Sequence, residues 1–294
     1  MFRQITMDQF QFKQEEFNLN DLMETSKPFL KWAGGKTRVM PHILPLLPKG
    51  KRLVEPFCGS CAVCLNTDYD EYLLSDINKD IITLYVTLKR TGKDFISFCK
   101  TYFCAENNTQ EMYNLIRSSF NSIDDSYRKS AMFIYLNRHG FNGLCRYNST
   151  GKFNVPFGRY EKPYFPEKEM LFFLKKSDKM HFLNGDFKNL TDQITKGDVI
   201  YCDPPYFPLN KTANFTAYNK GGFGFEQQKA LVIWVEFFSK NGIPVLISNH
   251  DIPLSRDVYK NATFIKEIEV SRHISRDGEN RKKAKELLVL FMKQ

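Results

Sequence analysis

The segment DVIYCDPPY at 198–206 places an acidic side chain where a buried strand must end. Val199 and Ile200 are β-branched and Tyr201 is aromatic, which favours a short strand. The two prolines that follow Asp203 cannot donate to a sheet, so the strand stops and the carboxylate lies at its carboxyl end. Open α/β sheets bind their ligands at that edge. A plain Asp-Pro turn is the alternative interpretation of the same residues.

A second candidate site is formed by EPFCGSC at 55–61 and SDIN at 75–78. Gly59 follows a predicted strand, at a point where the backbone must approach a ligand closely. Asp76 ends the next strand, where an acid can accept ribose hydroxyls. A single glycine in place of G-x-G-x-x-G disfavours a dinucleotide, and a plain βαβ turn remains the alternative. KWAGGK at 31–36 lacks the spacing of a phosphate-binding P-loop.

The composition predicts a folded protein that works inside the cell. Of its 294 residues, 42% are hydrophobic and 15% are aromatic, which is enough for a sizeable core. No apolar run reaches the ~18 residues of a membrane span, and the N-terminus lacks the apolar core of an export signal. We therefore expect a cytoplasmic protein without a membrane partner. The net charge of +9 favours a polyanionic partner.

The seven cysteines and five histidines indicate neither a disulfide framework nor a metal site. An odd number of cysteines in a chain without an export signal predicts free thiols. Cys58, Cys61 and Cys64 superficially resemble an iron–sulfur ligand set, but no fourth cysteine follows at a suitable spacing. The histidines show no i, i+4 pair and no cysteine at metal spacing. We therefore expect no metal.

Strand signals alternate with helical ones, which predicts an α/β fold with a parallel sheet and helices on both faces. The strand signals are RLVEPF, EYLLSDIN, KMHFLNGD, DVIYCD and IPVLISNH, and a helix is predicted over 226–240. Residues 81–165 interrupt this pattern and predict an inserted, mostly helical domain. Residues 27–80 and 166–294 then form the main domain, and residues 1–26 a loosely ordered extension.

Several motifs, in their order along the chain, resemble those of the Dam family of adenine DNA methyltransferases. They are KWAGGK, EPFCGS, SDIN, NGLCRYN, FNVPFGRY, CDPPY and LISNHD, and the resemblance covers residues 27–292. It implies a Rossmann-like sheet that binds S-adenosylmethionine and an inserted target-recognition domain for double-stranded DNA containing GATC. The implied reaction is methyl transfer to N6 of an adenine that is flipped out of the duplex.

The resemblance gives Asp203 and Pro204 the role of paired acceptors for the adenine amine. That nitrogen is a poor nucleophile because its lone pair is conjugated with the ring, and two acceptors that hold its hydrogens can pull it toward a pyramidal shape. Proline fixes the backbone of these acceptors, and Tyr206 offers a flat face to the extruded base. The implied cofactor-binding residues are Trp32, Lys36, Phe57, Gly59, Asp76, Asp186, Phe187 and Asp203.

In Dam-like proteins the loop that contains NGLCRYN enters the major groove. On this resemblance Arg146 bonds a guanine edge through two hydrogen bonds, the commonest specific contact in that groove. Leu144 and Pro156 contact thymine methyl groups. Lys31 reaches the first guanine, and Tyr160 supports that end of the site.

Phe141 stands where the family commonly has a tyrosine that inserts into the base stack. A phenyl ring can still act as an apolar wedge, with Asn142 near the vacated position of the adenine. An ordinary aromatic loop packed on the helices is the alternative interpretation. The predicted phosphate contacts are Arg138, Arg159, Arg281, Lys282 and Lys283.

Other functions remain open at this point. The same chemistry can serve another short DNA site or RNA, and a cytosine amine is chemically possible at a DPPY site. A DNA-binding regulator without catalysis belongs to a different class, and the intact Asp203, Tyr206, Asp76 and Lys36 weigh against it. We expect a monomer, either associated with a bacterial nucleoid or encoded by a phage.

Overall fold

A single sheet organises the computed structural model, which describes residues 26–207, 223–270 and 284–293. The order of strands across the sheet is β3–β2–β1–β4–β5–β7–β6. Together with the helices that cover it, this sheet forms an α/β, Rossmann-like fold. The strands are β1 (Arg52–Glu55), β2 (Glu71–Asp76), β3 (Met180–Asn184), β4 (Asp198–Cys202), β5 (Val245–His250), β6 (Phe264–Val270) and β7 (Ala284–Phe291).

Strands β1 to β5 are parallel, as the alternation of strand and helix signals predicts. The last strand departs from that prediction, because β7 runs antiparallel between β5 and β6. No strand after residue 250 was predicted. The sheet is therefore mixed: the five predicted strands are parallel, and β7 is antiparallel to the strand that precedes it in the chain, as directly paired consecutive strands are unless a crossover intervenes.

The longer helices cover the sheet on both faces. Helix α7 confirms the predicted helix over 226–240, and no helix in the described ranges has the length and apolar character to span a membrane. The α-helices are α1 (Met40–Ile43), α2 (Ala62–Leu65), α3 (Lys79–Lys100), α4 (Gln110–Phe120), α5 (Ser126–His139), α6 (Glu167–Lys176), α7 (Phe225–Lys240) and α8 (Pro253–Val258).

The apolar side chains of the strands alternate between two cores. Leu53 and Tyr201 belong to the core that includes residues of α1 to α6. Val54 and Ile200, their neighbours in sequence, belong to the core beneath α7. Successive side chains of a strand point to opposite faces, so near-continuous apolar runs in β1 and β4 fill both cores. The predicted helices on both faces of the sheet are thereby confirmed.

Helices α3 to α6 follow β2 and precede β3 in the chain. The Asn78 side chain begins α3 by accepting the N–H groups of Asp80 and Ile81. Helix α3 packs against β2 and β3 and also against α5 and α6, so it connects the sheet to the intervening helices. The division into domains at residues 80 and 165 therefore stays a prediction.

A largely buried ion pair joins the first residues of β1 and β4. Arg52 Nε and Nη2 donate to the two carboxylate oxygens of Asp198 at 3.0 and 2.7 Å. The same Nη2 donates to the Gln193 carbonyl at 2.7 Å. Asp198 is 4% exposed, so its charge depends on these partners instead of on water.

Substitution of Arg52 by alanine is expected to lower the free energy of unfolding by about 3 kcal/mol, because it leaves a buried carboxylate without its cation. Urea titration of Arg52→Ala and the wild type measures this difference. Lys51→Ala, at the exposed neighbouring position, is the matched control and should change stability by less than about 0.5 kcal/mol. Equal losses in the two variants would contradict a stabilising role of the pair.

Candidate active site

A cavity of about 880 Å³ opens where β1, β2, β3 and β4 end. This is the carboxyl edge of the parallel strands, where ligands of open α/β sheets bind. Every residue predicted from the sequence to act in catalysis or to bind the cofactor lines this cavity. They are Trp32, Lys36, Phe57, Gly59, Asp76, Asp186, Phe187, Asp203, Pro204 and Tyr206.

The turn after β1 approaches the cavity through its backbone. Gly59 has a φ of 44°, its N–H donates to Asp76 Oδ2 at 3.0 Å, and its carbonyl accepts the Tyr85 hydroxyl at 2.7 Å. A Cβ at this position would lie 2.7 Å from Nε1 of the Trp32 indole. Glycine is therefore required here both by the left-handed backbone and by the close contact with the indole.

Asp76 connects this turn to the beginning of α3. Its Oδ2 accepts the Gly59 N–H, and its Oδ1 accepts the Asn78 N–H at 2.9 Å. Burial raises the pKa of Asp76, while these two hydrogen bonds act in the opposite direction by favouring the charged form. The carboxylate is thus held rigidly at the cavity wall, where its predicted contact with a ribose requires it.

Asp203 lies in a cluster of polar side chains at the end of β4. Its Oδ1 accepts the Ser248 hydroxyl at 2.8 Å and lies 3.0 Å from Lys36 Nζ. The Tyr201 hydroxyl lies 3.0 Å from Ser248 Oγ. Burial raises the pKa of Asp203, whereas the Lys36 charge and the Ser248 hydrogen bond lower it. The carboxylate is therefore a desolvated acceptor whose orientation is set before any ligand arrives.

The Tyr206 ring is held from several directions. Its hydroxyl donates to Glu286 Oε2 at 3.0 Å, and the His250 ring packs edge-on at 4.6 Å between centroids. Lys36 Nζ lies over the ring, 4.4 Å from its centroid, and 4.0 Å from Glu286 Oε2. Lys36 was predicted to bind the cofactor, and the structure places its ammonium against the acceptor carboxylate of Asp203.

The cavity wall beyond β3 is aromatic. Asp186 Oδ1 accepts the Lys188 N–H at 3.0 Å and begins the 3₁₀ helix Phe187–Gln193. Phe57 and Phe187 have ring centroids 5.8 Å apart, and Phe223 packs edge-on against Phe57 at 5.4 Å. These rings form an apolar wall of the kind that receives a planar ligand.

Glu55 is a cavity residue that was not predicted as part of the site. It is the last residue of β1, is 2% exposed, and its Oε1 has no hydrogen-bond partner among the described residues. Burial raises the pKa of Glu55 to about 8, against the opposing effect of the Cys64 N–H. An orphaned buried acceptor in a ligand cavity is suited to a donor on the ligand. An acid at the end of a buried strand, inside the motif EPFCGSC, was the signal for it.

The residues of this cavity fit S-adenosylmethionine, the cofactor that the sequence motifs imply. That molecule carries an ammonium, ribose hydroxyls and an adenine ring. Glu55 Oε1 is an unsatisfied acceptor for the ammonium, and Asp76 is a fixed acceptor for hydroxyls. The aromatic wall of Phe57, Phe187 and Phe223 suits the adenine ring.

Two further residues of the catalytic cluster come from distant segments. Ser248 lies in β5 within the motif LISNHD, which was recognised without a role for this serine. Glu286 belongs to β7 and is 8% exposed. No sequence signal pointed to Glu286, because its place beside Tyr206 depends on the antiparallel insertion of β7 next to β5.

Five of the residues predicted to contact bases lie on two paired segments, residues 140–148 and 152–158, which we call the reading hairpin. They are Phe141, Asn142, Leu144, Arg146 and Pro156. The Phe141 N–H donates to the Pro156 carbonyl at 2.8 Å, and the Asn154 N–H donates to the Arg146 carbonyl at 3.1 Å. Helix α4 supports the second segment, since the Tyr113 hydroxyl donates to the Val155 carbonyl at 2.9 Å. The hairpin therefore has a fixed backbone.

Asn137 of α5 joins the reading hairpin to the segment that enters the cavity. Its side chain accepts the Lys31 N–H at 2.9 Å and donates to the carbonyls of Lys31 and Gly143 at 2.8 and 3.1 Å. Lys31 Nζ lies 4.5 Å from the centroid of the Tyr160 ring, whose hydroxyl accepts the Asn142 N–H at 3.0 Å. Lys31, Asn142 and Tyr160 are thus brought together.

Several predicted readers are exposed on this hairpin. Phe141 is 48% exposed, and Pro156 and Arg146 are also exposed. Arg146 Nε donates to Asn154 Oδ1 at 2.8 Å and its Nη2 donates to the Asn154 carbonyl at 3.2 Å, which orients the guanidinium. Leu144 is half-buried against the core of the helices.

The residues predicted to contact phosphates have different positions. Arg138 is 7% exposed, its Nη2 donates to the Phe29 carbonyl, and its Nε has no partner in the described part of the chain. This placement does not support a phosphate contact, because the last turn of α5 is covered by neighbouring segments. Arg159 is exposed. Arg281, Lys282 and Lys283 lie outside the described residues.

The cysteines form neither disulfides nor a metal-ligand cluster in the described residues. All seven cysteines are free thiols, and Cys58, Cys61 and Cys64 are buried around α2. Burial raises the pKa of each of these three thiols. Within the described ranges, no three or more histidine, cysteine or acidic side chains are grouped so that they could hold a metal ion.

Comparisons with known proteins return a family and close relatives. A family model described as D12 class N6 adenine-specific DNA methyltransferase matches residues 32–274. The DNA adenine methylase of Escherichia coli K12 is 46% identical over 269 residues, which cover 92% of this chain and 96% of that protein. The DNA adenine methylase of Vibrio cholerae is 47% identical over 270 residues, which cover 92% and 97%.

Substitution of Glu55 by glutamine is expected to flatten the dependence of stability on pH between about pH 5 and pH 8. The pKa of Glu55 is about 8 in the folded protein and 4.5 ordinarily, so the folded state binds more protons in that interval. Stability of the wild type therefore falls as pH rises through the interval and the contribution levels off above it. Glutamine cannot ionise and removes this contribution.

Urea titrations of Glu55→Gln and the wild type at three pH values across that interval measure the effect. Glu111→Gln, on the exposed side of α4, is the control and should follow the wild type. Parallel pH profiles for Glu55→Gln and the wild type would show that the buried carboxyl does not titrate with a raised pKa.

Proposed function

Because the chain belongs to the D12 class of N6 adenine-specific DNA methyltransferases, we propose that it methylates the adenine of GATC in double-stranded DNA. The family confirms the enzyme class, the cofactor S-adenosylmethionine and the DNA adenine substrate that the sequence motifs indicate. The observation that carries the finer proposal is the reading hairpin, with its exposed Phe141 and Arg146 and its junction to Lys31.

The methyl transfer requires alignment of the adenine amine with the methyl group more than it requires activation of the cofactor. Bound S-adenosylmethionine supplies a methyl group on a positively charged sulfur, so direct displacement needs no covalent enzyme intermediate. The carboxylate of Asp203 and the carbonyl of Pro204 accept the two amine hydrogens of the adenine and turn its lone pair toward the methyl group. With the cofactor held in this cavity, displacement of its sulfur by the amine would leave a positively charged nitrogen, which would release one proton to solvent.

The neighbours of Asp203 support this role. Lys36 and Ser248 both contact Oδ1, which orients the carboxylate and favours its charged, accepting form. Tyr206 is bonded to Glu286 through its hydroxyl, so its ring stays in one orientation beside the acceptors. A base that leaves the duplex can stack on such a ring.

The reading hairpin supports recognition of a short sequence in the major groove. Asn154 orients the Arg146 guanidinium, which suits two hydrogen bonds to a guanine edge. The exposure of Pro156 supports a contact with a thymine methyl group, and Phe141 is an exposed ring that can occupy the space of the flipped adenine. Lys31, beside Tyr160, reaches for the first guanine.

The remaining parts of the proposal concern the arrangement of the chain. Residues 81–165 act as a target-recognition unit, and Arg159 contacts phosphates together with the basic residues 281–283. One chain carries both the catalytic cavity and the reading hairpin, which supports action as a monomer without a metal. A DNA substrate supports a location in the bacterial cytoplasm, at the nucleoid, or in a phage-infected cell.

Transfer of labelled methyl groups to two duplexes of equal composition, one with GATC and one scrambled, tests the proposed target. We expect label on the GATC duplex alone, and none with Asp203→Ala, although that variant should still bind the cofactor. Label on both duplexes would support the methyltransferase activity and contradict the proposed sequence specificity. Label on neither, with the cofactor still bound, would point to another DNA site or to RNA.

Arg146→Ala is expected to reduce discrimination at one guanine of the site by about 1–3 kcal/mol, because a guanine edge loses two hydrogen bonds. Methylation rates on duplexes with a single substituted base pair measure this loss. Arg159→Ala is the contrasting variant. It should weaken DNA binding to the same extent for every sequence and reduce the slope of log affinity against log salt concentration by about 1. If Arg146→Ala kept the wild-type sequence preference at every base pair, the proposed contact between this arginine and a guanine would be contradicted.

A further inference from the structure

Among the residues that the structure describes, the catalytic turn after β4 has few backbone hydrogen bonds of its own. Pairing between β4 and β5 ends at Cys202, opposite Ile247. The two prolines that follow Asp203 have no N–H to donate. The backbone on both sides of Tyr206 therefore depends on side chains of other elements for its hydrogen bonds.

Two buried amides hydrogen-bond this backbone, and the Phe207 carbonyl also lies 2.8 Å from Nδ1 of the His250 ring. Gln228 Nε2, on α7, donates to the Pro205 carbonyl at 2.7 Å. Asn249 Oδ1, on β5, accepts the Phe207 N–H at 3.3 Å. The two bonded backbone groups belong to the residues directly before and after Tyr206. Side chains from two different elements thus hold the chain on both sides of the proposed stacking ring.

A third buried side chain fixes the orientation of both amides. Asn249 Nδ2 donates to the Tyr259 hydroxyl oxygen at 2.8 Å, and that hydroxyl donates to Gln228 Oε1 at 3.3 Å. Asn249 Nδ2 also lies 3.4 Å from Gln228 Oε1. All three side chains are at most 1% exposed. Neither amide can rotate without breaking several of these bonds in a site that water does not reach.

These side chains lie behind the cavity. Tyr206 and Gln227 line it, whereas Gln228, Asn249 and Tyr259 are not part of its walls. Residues of the wall, among them Pro205, separate them from a ligand in this cavity. Any influence on the reaction must pass through the backbone of the turn.

We propose that Gln228 and Asn249 are positioning residues that hold the backbone on either side of Tyr206 and so keep its ring in the orientation that receives the target adenine. The inference rests on the proposed stacking of the flipped adenine on this ring. Alignment of the reacting groups dominates a direct methyl transfer, so a small displacement of the turn affects the chemical step more than it affects binding.

Gln228→Met tests the proposal, because it preserves the length of the side chain and removes both hydrogen-bonding atoms. We expect kcat to fall by about 10- to 100-fold, while the Kd for S-adenosylmethionine and the KM for the duplex change less than twofold. Phe238→Leu is the matched control, since Phe238 is a buried residue of the same helix outside this network. It should lower the melting temperature without a comparable fall in kcat.

Tyr259→Phe provides a milder variant that removes a single oxygen atom and retains both direct bonds to the turn. A fall in kcat at unchanged cofactor Kd, smaller than that of Gln228→Met, supports the proposal, and it decides the matter if Gln228→Met does not fold. The proposal is overturned if Tyr259→Phe and any folded Gln228→Met retain the wild-type kcat, or if their losses follow the melting temperature as in Phe238→Leu.

Each variant is compared with the wild type on whichever duplex the wild type methylates. A wild type that methylates GATC and scrambled duplexes equally would overturn the proposed specificity and leave this comparison intact. The two results are therefore distinguishable.

Discussion

The placement of one desolvated carboxylate, that of Asp203, constrains the whole catalytic edge of the sheet. Burial opposes its charge, and Lys36 and Ser248 favour it through contacts with Oδ1. The lysine precedes β1 and the serine belongs to β5, so the acceptor is complete only when β1, β4 and β5 lie side by side. Folding of the sheet and assembly of the acceptor are thus one event, which prepares the site before a base arrives.

A second carboxyl group in the same cavity has the opposite arrangement. Glu55 has no hydrogen-bonding cation beside it among the described residues, and its pKa is raised to about 8. The charge of Asp203 contributes to that shift. The two acids therefore differ in their environments: one is matched to a protein cation, and the other is left for a donor that the cofactor brings. Different roles for neighbouring carboxyl groups follow from this difference.

The junction around Asn137 connects the chemistry to the reading hairpin. One buried amide bonds the backbone of Lys31, which precedes the cavity residue Trp32, and the backbone of Gly143 within the hairpin. A Cβ at Gly143 would lie 2.4 Å from Lys31 Cβ, so glycine allows the two segments to touch. The position of the hairpin relative to the cavity therefore depends on direct contacts of α5, and not on the length of a linker.

The sequence by itself determined the five parallel strands, helix α7, the family and ten of the residues that line the cavity. These depend on local periodicity, on proline and glycine at strand ends, and on motifs whose order is preserved along the chain. What only the tertiary structure decided were contacts between distant segments. They include the pairing of Lys36 with Asp203, the bond from Tyr206 to Glu286 of the antiparallel β7, and the burial of Arg138. A local pattern states which groups a side chain can bind, whereas its partner and its exposure to water depend on which elements pack beside it.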